Sequence, residues 1–567
     1  MKKIWKEIKL EEDTKLIEKI QSKFNVSELI ARIIASKGLE KDEDIQKFLA
    51  PTRNDFHDPY EMPDMQKAVD RILKAITTNE KIAIYGDYDV DGITSTTLLK
   101  KYFKDRGVEV GTYIPNRLNE GYGLNNEAIN KIAEDGYNLI ITVDTGITAN
   151  EQVELARTLN MDVIITDHHE PAETIPDAVA VVDCKRSDSK YPFRELCGCG
   201  VAFKLTQALT KALDISENES LKYLDLAAIG TISDIVPLED ENRVIAKLGL
   251  LLVAQTKNVG LRALFNQCKF KTVDSQTVSF GISPRVNACG RMGHQEEALE
   301  LLVTDDPIVA RKKAAIIEDY NKQRQDIEKK IFEEAIWEIA SDPRYETAKA
   351  LVVGKKKWHN GVIGIIASKI TERFYKPSIL INFEEDEAHG SGRSIEGFDL
   401  HEAALKCSDH LIQAGGHAMA IGCKLKTSEF EAFRDEFEKY ANENITDEMM
   451  VPVLNIDYEI SDKNFDLKSI EELQLLEPFG AGNNKPTFIY KDLRIDGIRK
   501  LSEGKHMKLQ LKSGNNAVEA IGFGLGELAD EYQIGDKIDV AGNLEINEYN
   551  GKKNIQIVLK DLRKSIK

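Results

Sequence analysis

Between Asp87 and Gly92 the chain reads Asp-Tyr-Asp-Val-Asp-Gly, which places three carboxylates on alternate residues. Asp144-Thr145-Gly146 and Asp167-His168-His169 follow further on. A lone Asp after a strand is an ordinary helix N-cap, and a lone Asp-His-His can be a turn. Alternating carboxylates exceed what capping needs. Gathering that many like charges is costly unless cations sit among them. Mixed oxygen and imidazole ligation suits divalent Mn, with Mg as the harder alternative. Two such ions about 3.5–4 Å apart can activate a water and stabilise a leaving oxygen in an in-line displacement, so the chemistry indicated is two-metal phosphoester hydrolysis.

Each cluster follows a short apolar run: Ile82-Ala83-Ile84-Tyr85, Leu139-Ile140-Ile141-Thr142-Val143 and Val163-Ile164-Ile165-Thr166. Such runs read as parallel strands buried on both faces. Ligands of an open α/β sheet collect at the carboxyl ends of its strands, so the three segments deliver their acids and imidazoles to one crevice. Asp89, Asp91, Asp144, His168 and Asp234 are the expected metal ligands, with Asp144 able to bridge two ions and Asp87 as a lesser candidate. His169 is expected either to touch a phosphate oxygen in the transition state or to support the ligand beside it.

The ordered strings resemble the DHH phosphoesterases: Asp87 to Gly92, Thr142 to Gly146, Asp167 to His169, and Gly230-Thr231-Ile232-Ser233-Asp234. Longer strings narrow the likeness: Tyr113 to Arg117 with Glu120-Gly121-Tyr122-Gly123, Pro284 to Met292, Gly390-Ser391-Gly392-Arg393-Ser394 and Gly415-Gly416-His417. That set resembles the RecJ family of bacterial single-strand-specific 5′ to 3′ DNA exonucleases, from about Ile82 onward. Two departures stand out. Asp183-Cys184 occupies the place of a usual Asn-Pro pair, and Cys289 that of a common Ala. The resemblance implies a single-stranded DNA substrate, two Mn²⁺ or Mg²⁺ ions, and repair and recombination roles with a helicase and a single-strand-binding protein as partners.

Two metals alone would cut any phosphodiester within reach, so polarity needs a site for a terminal 5′ phosphate. Planar bidentate Arg suits that task. Arg393, with Ser391 and small glycines beside it, reads as such an anion site, which Arg117 could join from the first lobe. Tyr122 could stack on a base or obstruct a second strand. Arg285, Asn287 and Arg291 offer further backbone contacts, and His417 belongs by resemblance to the substrate-binding face of the second lobe.

A chain of 567 residues is too long for one core. Residues 1–56 read as a charged helical segment capping the first domain, and 57–304 as a doubly wound parallel sheet carrying the catalytic motifs. Residues 305–342 form a long connecting helix with Pro307 tolerated in its first turn. Residues 343–442 form a second α/β lobe of the DHHA1 type, and the short strands of 450–567 suggest an OB-fold β-barrel for nucleic acid. The net charge of −19 argues against a phosphate partner on average. From Gly480 onward, however, 15 basic residues face 12 acidic ones, so the tail is locally basic.

Seven scattered cysteines read as reduced thiols, and Cys197-Gly198-Cys199 lacks a second pair at zinc spacing. Acidic residues from Glu7 interrupt any signal-like apolar core, and no run approaches the roughly 18–20 apolar residues of a membrane span. The expectation is a cytoplasmic monomer. Two other classes compete with the exonuclease: a DHH phosphodiesterase for short oligonucleotides or cyclic dinucleotides, and an inactive binding module. The barrel and connecting helix favour a polymer substrate, and intact acids at every motif oppose inactivity.

Overall fold

The computed structural model describes residues 3–565 except 8–13, 269, 271, 463–464, 515 and 550. The chain forms two compact units, one of 53–450 and one combining 1–52 with 451–567.

The first unit opens with five parallel strands in the spatial order Val110–Tyr113, Ile82–Tyr85, Leu139–Val143, Asp162–Thr166, Ala180–Val182. Alternate residues enter different cores. Ile82, Ile84, Leu139, Ile141 and Ile164 face one, while Ala83, Tyr85, Ile140, Val163 and Ile165 face the other. Helices therefore cover both faces, which is why these strands are apolar throughout rather than alternating. Each Ile, Leu or Val side chain among them contributes about 1.5–3 kcal/mol by leaving water. The order reverses between Ile82–Tyr85 and Leu139–Val143. That switch point opens a crevice at the strand ends, where Asp87 to Asp91 and Asp144 begin.

A helix from Pro307 to Ser341 runs out of this domain, with the Asp306 side chain accepting the backbone N–H groups of Ile308 at 2.7 Å and Val309 at 3.4 Å. Proline at its first position costs nothing, since that N–H has no helical partner. Its Ala310, Ala314 and Ile317 pack in the first domain's core, and its Ile331, Ala335 and Ile339 in that of the second lobe. One rigid element thus couples the two lobes. The second lobe is a mixed sheet in the order Leu411–His417, Ala420–Lys426, Glu387–Arg393, Ser378–Phe383, Leu351–Lys356. Helix Asn360–Phe374 covers one face through Val362, Ile363 and Ile366, and helix Phe430–Asn444 the other through Phe433 and Phe437.

In the other unit, strands Phe488–Leu501, His506–Ser513, Asn516–Gly522, Lys552–Lys564 and Lys537–Tyr549 close into a barrel, the last pairing back onto the first. One expectation needs correction here. The N-terminal segment belongs to the barrel's unit rather than to the first domain's: Ile20, Leu29, Ile30 and Ile34 share one core with Leu493, Met507, Leu509 and Val540 of the barrel. Strand Ile4–Glu7 also pairs in parallel with Val453–Ile456. Further, Asn516–Gly522 is a barrel strand although its Ala and Glu residues have weak strand preference. Pairing with His506–Ser513 on one side and Lys552–Lys564 on the other overrides that preference.

Candidate metal centre and anion pocket

Asp89 caps the helix Val90–Lys104 by accepting the Gly92 N–H at 3.1 Å, so capping and ligation are compatible at this position. Asp91, in the helix's first turn, is 1% exposed, and its two carboxylate oxygens accept the N–H groups of Gly198 at 2.6 Å and Cys199 at 2.8 Å. Those donors open the helix Gly198–Ala212, whose N-terminal partial charge favours an anion. Gly198 is required there: a Cβ would lie 2.5 Å from the Asp144 Cβ. Asp144 itself takes a left-handed conformation, φ 60°, at the end of its strand, a cost that Asp tolerates better than most residues.

His168 joins the acids. Its Nε2 lies 3.1 Å from Asp144 Oδ1, 3.8 Å from Asp234 Oδ2 and 3.9 Å from Asp91 Oδ2. Three ligand-competent triads result: Asp87 with Asp89 and Asp144, Asp91 with His168 and Asp234, and Asp144 with His168 and His169. Burial and then the neighbouring acids hold the Asp87, Asp91, Asp144 and Asp234 carboxyls above their usual range. Burial, and next the His169 ring, drives His168 down to about 3, so its imidazole is neutral and able to ligate. Asp87 Oδ1 and both His168 ring nitrogens are buried without a hydrogen-bond partner. Unpartnered polar atoms among mutually repelling carboxylates fit divalent cations.

His169 is placed differently. Its Nδ1 meets Asp167 Oδ1 at 2.7 Å, and Asp167 also accepts the N–H groups of His168 and Ile147. Burial opposes charge on His169, yet the Asp167 carboxylate outweighs it and raises the imidazole to about 9. A charged His169 therefore stands beside the acids, with the Tyr122 hydroxyl 3.2–3.3 Å from its ring nitrogens. The Tyr122 ring is 53% exposed while its hydroxyl reaches inward, 3.4 Å from the Asp144 carbonyl.

Guanidinium groups gather elsewhere in the same unit. Arg393 donates to the Gly392 carbonyl at 2.7 Å and to Ser391 Oγ at 3.3 Å, and Arg291 donates to the Gly361 carbonyl at 2.9 Å. Among the described residues, neither forms an ion pair with a carboxylate. Burial, then the Arg117 charge, lowers Arg393; burial, then Arg117 and Arg324, brings Arg291 down to about 10. Arg117 also lies over the Tyr88 ring, 5.0 Å from its centroid, next to the first acidic motif. Positive charges from both lobes thus lie near enough to repel one another, a repulsion that a bound anion would relieve. His417 sits on the exposed edge strand in the cross-strand row His417, Ala420, Arg393, about 10 Å from Arg393 at normal strand spacing.

Two expected substrate contacts have partners within the protein. Arg285 is committed to Glu318 at 2.6 Å and to the Gly281 carbonyl at 2.8 Å, which fixes the connecting helix to the domain. Asn287 accepts the Val90 N–H at 3.3 Å and steadies the Asp87 to Gly92 loop. Sequence reasoning passed over Asp167 as an orienting group, Gly198 as a close-approach site, and Asp183. The last is a buried acid whose Oδ1 accepts the Lys185 N–H while Oδ2 has no partner. Its signal was available, since it follows the fifth strand as the other acids follow theirs.

Comparisons with known proteins identify the domains and the family. Residues 81–231 match the DHH family N-terminal domain, 347–443 the DHHA1 domain and 456–561 the RecJ OB domain. The single-stranded-DNA-specific exonuclease RecJ of Bacillus subtilis is 40% identical over 97% of this chain and 70% of its own length. The chain belongs to the RecJ family. Its fold follows RecJ of Thermus thermophilus in complex with Mn²⁺ with a TM-score of 0.85 at 30% identity, covering 100% of this chain and 80% of the other. The Mg²⁺ complex of the same enzyme gives 0.79 at 28% identity, over 100% and 79%.

Proposed function

We propose that this chain is a metal-dependent exonuclease that degrades single-stranded DNA from the 5′ end to 5′ mononucleotides. The observation that carries the reading is a buried acidic cluster with orphaned ligand atoms in the same unit as guanidinium groups that, among the described residues, form no ion pair with a carboxylate. Asp87, Asp89 and Asp144 would hold one Mn²⁺ or Mg²⁺ ion, and Asp91, His168 and Asp234 a second, with Asp144 shared. Two bound ions supply an activated water and charge to match the leaving 3′ oxygen.

The chain's own groups do the rest. The helix starting at Gly198 fixes Asp91, so its carboxylate is ready for a ligand without reorganisation. Asp167 holds His169 protonated and oriented, leaving its remaining N–H to meet a phosphate oxygen as negative charge develops. Arg393, Ser391, Arg117 and Arg291 hold the terminal phosphate and so set which phosphodiester reaches the acids. Tyr122 narrows the approach beside His169. Single-stranded DNA is the substrate that the barrel suits, through stacking and a basic surface.

By the same family likeness, the protein works in the cytoplasm as a monomer, with a single-strand-binding protein and a helicase as partners in repair and recombination. Among the described residues, no helix is long and apolar enough to cross a membrane.

The test compares turnover on a dinucleotide, a long single strand and a blunt duplex with Mn²⁺ and with chelator. The expected result is metal-dependent release of mononucleotides from the 5′ end, fastest on the long single strand. Preference for the dinucleotide would instead assign the chain to short-oligonucleotide hydrolysis.

A further inference from the structure

The two most exposed large apolar side chains in the 53–450 unit are Phe280, 77% exposed, and Ile235, 73%. Both flank one junction. Ile235 directly follows the candidate ligand Asp234, and Ser233, on the other side of Asp234, meets Ser283 Oγ through its own Oγ at 2.6 Å. Phe280 lies three residues before Ser283 on the π-helical turn Val278–Ile282. Such turns are rare and recur at functional sites, where they redirect a side chain.

The backbone at Ile235 adds a second observation. Its φ is 63°, a left-handed conformation that a β-branched residue adopts only with strain. No core packing compensates, because the side chain faces solvent. Gly or Asn would relieve the strain, so folding alone gives no reason for isoleucine here. Next to Phe280, the Phe270 ring packs so closely on Gly281 that a Cβ there would lie 2.0 Å from it. An apolar surface beside a phosphodiester-cleaving centre matches the non-polar face of a base, the part of a nucleotide that phosphate-binding groups leave unrecognised. Contact with that face tolerates any sequence, because every base presents one.

We propose that Ile235, with Phe280 on the segment tied to it, receives the nucleobase of the nucleotide whose phosphate lies at Asp234, and so places the strand for cleavage. The inference rests on the exonuclease reading above.

The experiment uses the full chain with Mn²⁺ and 5′-phosphorylated single strands, one carrying natural bases throughout and one abasic at its first two nucleotides. Wild type should favour the natural strand in kcat/KM by about tenfold, the scale of one stacked base. In the Ile235→Gly/Phe280→Ala double variant that ratio should fall to near one. Ile235→Gly alone should melt no lower than wild type, since glycine accepts φ 63°, and it provides the same ratio should the double variant not fold. A variant ratio equal to that of wild type overturns the proposal, as does a wild type indifferent to the missing bases. A wild type that digests neither strand overturns the underlying exonuclease reading instead.

Discussion

The acidic centre at the strand ends and the arginine group around Arg393 are built on the same principle with opposite sign. Each gathers like charges in a partly or wholly buried place, and each pushes its own groups toward neutrality: carboxyls upward, guanidiniums downward. They differ in what supports them. The acids stand at the ends of strands buried on both faces and receive N–H donors from a helix start, whereas Arg393 comes from a mixed sheet in a second lobe joined through one long helix. In the function proposed above, the acid site would serve the chemistry and the separately mounted cation site the register. A phosphate chain is the ligand that can satisfy both, by holding its end at the arginines and its next linkage among the metals.

The sharpest way to break the comparison is on the acidic side. Asp144→Ala should lower turnover more than about 100-fold while leaving strand binding nearly intact, because a shared ligand serves both ions but touches little of the DNA. Single-turnover rates and fluorescence anisotropy on the same strand would read the two effects separately. Retained turnover above that level would remove the shared role.

On the cationic side, Arg393→Ala should cut the advantage of a 5′-phosphorylated over a 5′-hydroxyl end by about tenfold, since a guanidinium pairs strongly only with the anion. The ratio of kcat/KM on the two ends measures it. A uniform fall on both ends would return Arg393 to general backbone binding.

How far these two regions could be read from sequence differed for physical reasons. The acids were legible because alternating Asp residues after apolar runs have no purely structural use, and strand ends of a parallel sheet converge on one crevice. The arginines were legible only in part. Arg285 and Arg393 look alike in sequence, and what separates them is Glu318, 33 residues away from Arg285 and brought alongside by the connecting helix. Likewise the N-terminal helices carry an amphipathic pattern that demands burial but does not name the surface, and the barrel supplied it. Asp167 hid because its role is to hold another side chain, which depends on angles rather than spacing.

A smaller effect sharpens the same theme at Asp183, a like charge without a counter-ion. Burial pushes its carboxyl up to about 7 against an unfolded value near 4, so the folded state binds the extra proton between those limits. The charged form therefore destabilises the fold increasingly from about pH 4 to 7 and fully above 7. Asp183→Asn keeps the acceptor for Lys185 N–H and should stabilise the protein by more at pH 8 than at pH 5, by a difference of about 1 kcal/mol or more. Thermal melting of both proteins at the two pH values would show it. Equal gains at both would mean that charge is not the cause.

The central claim, that the strand-end acids form two adjoining cation sites, is tested most directly by anomalous diffraction at the manganese edge from crystals soaked in Mn²⁺. The account predicts two peaks, one within ligand distance of Asp87, Asp89 and Asp144 and the other of Asp91, His168 and Asp234. A map with no peak among these residues, or with manganese held only elsewhere, would contradict it.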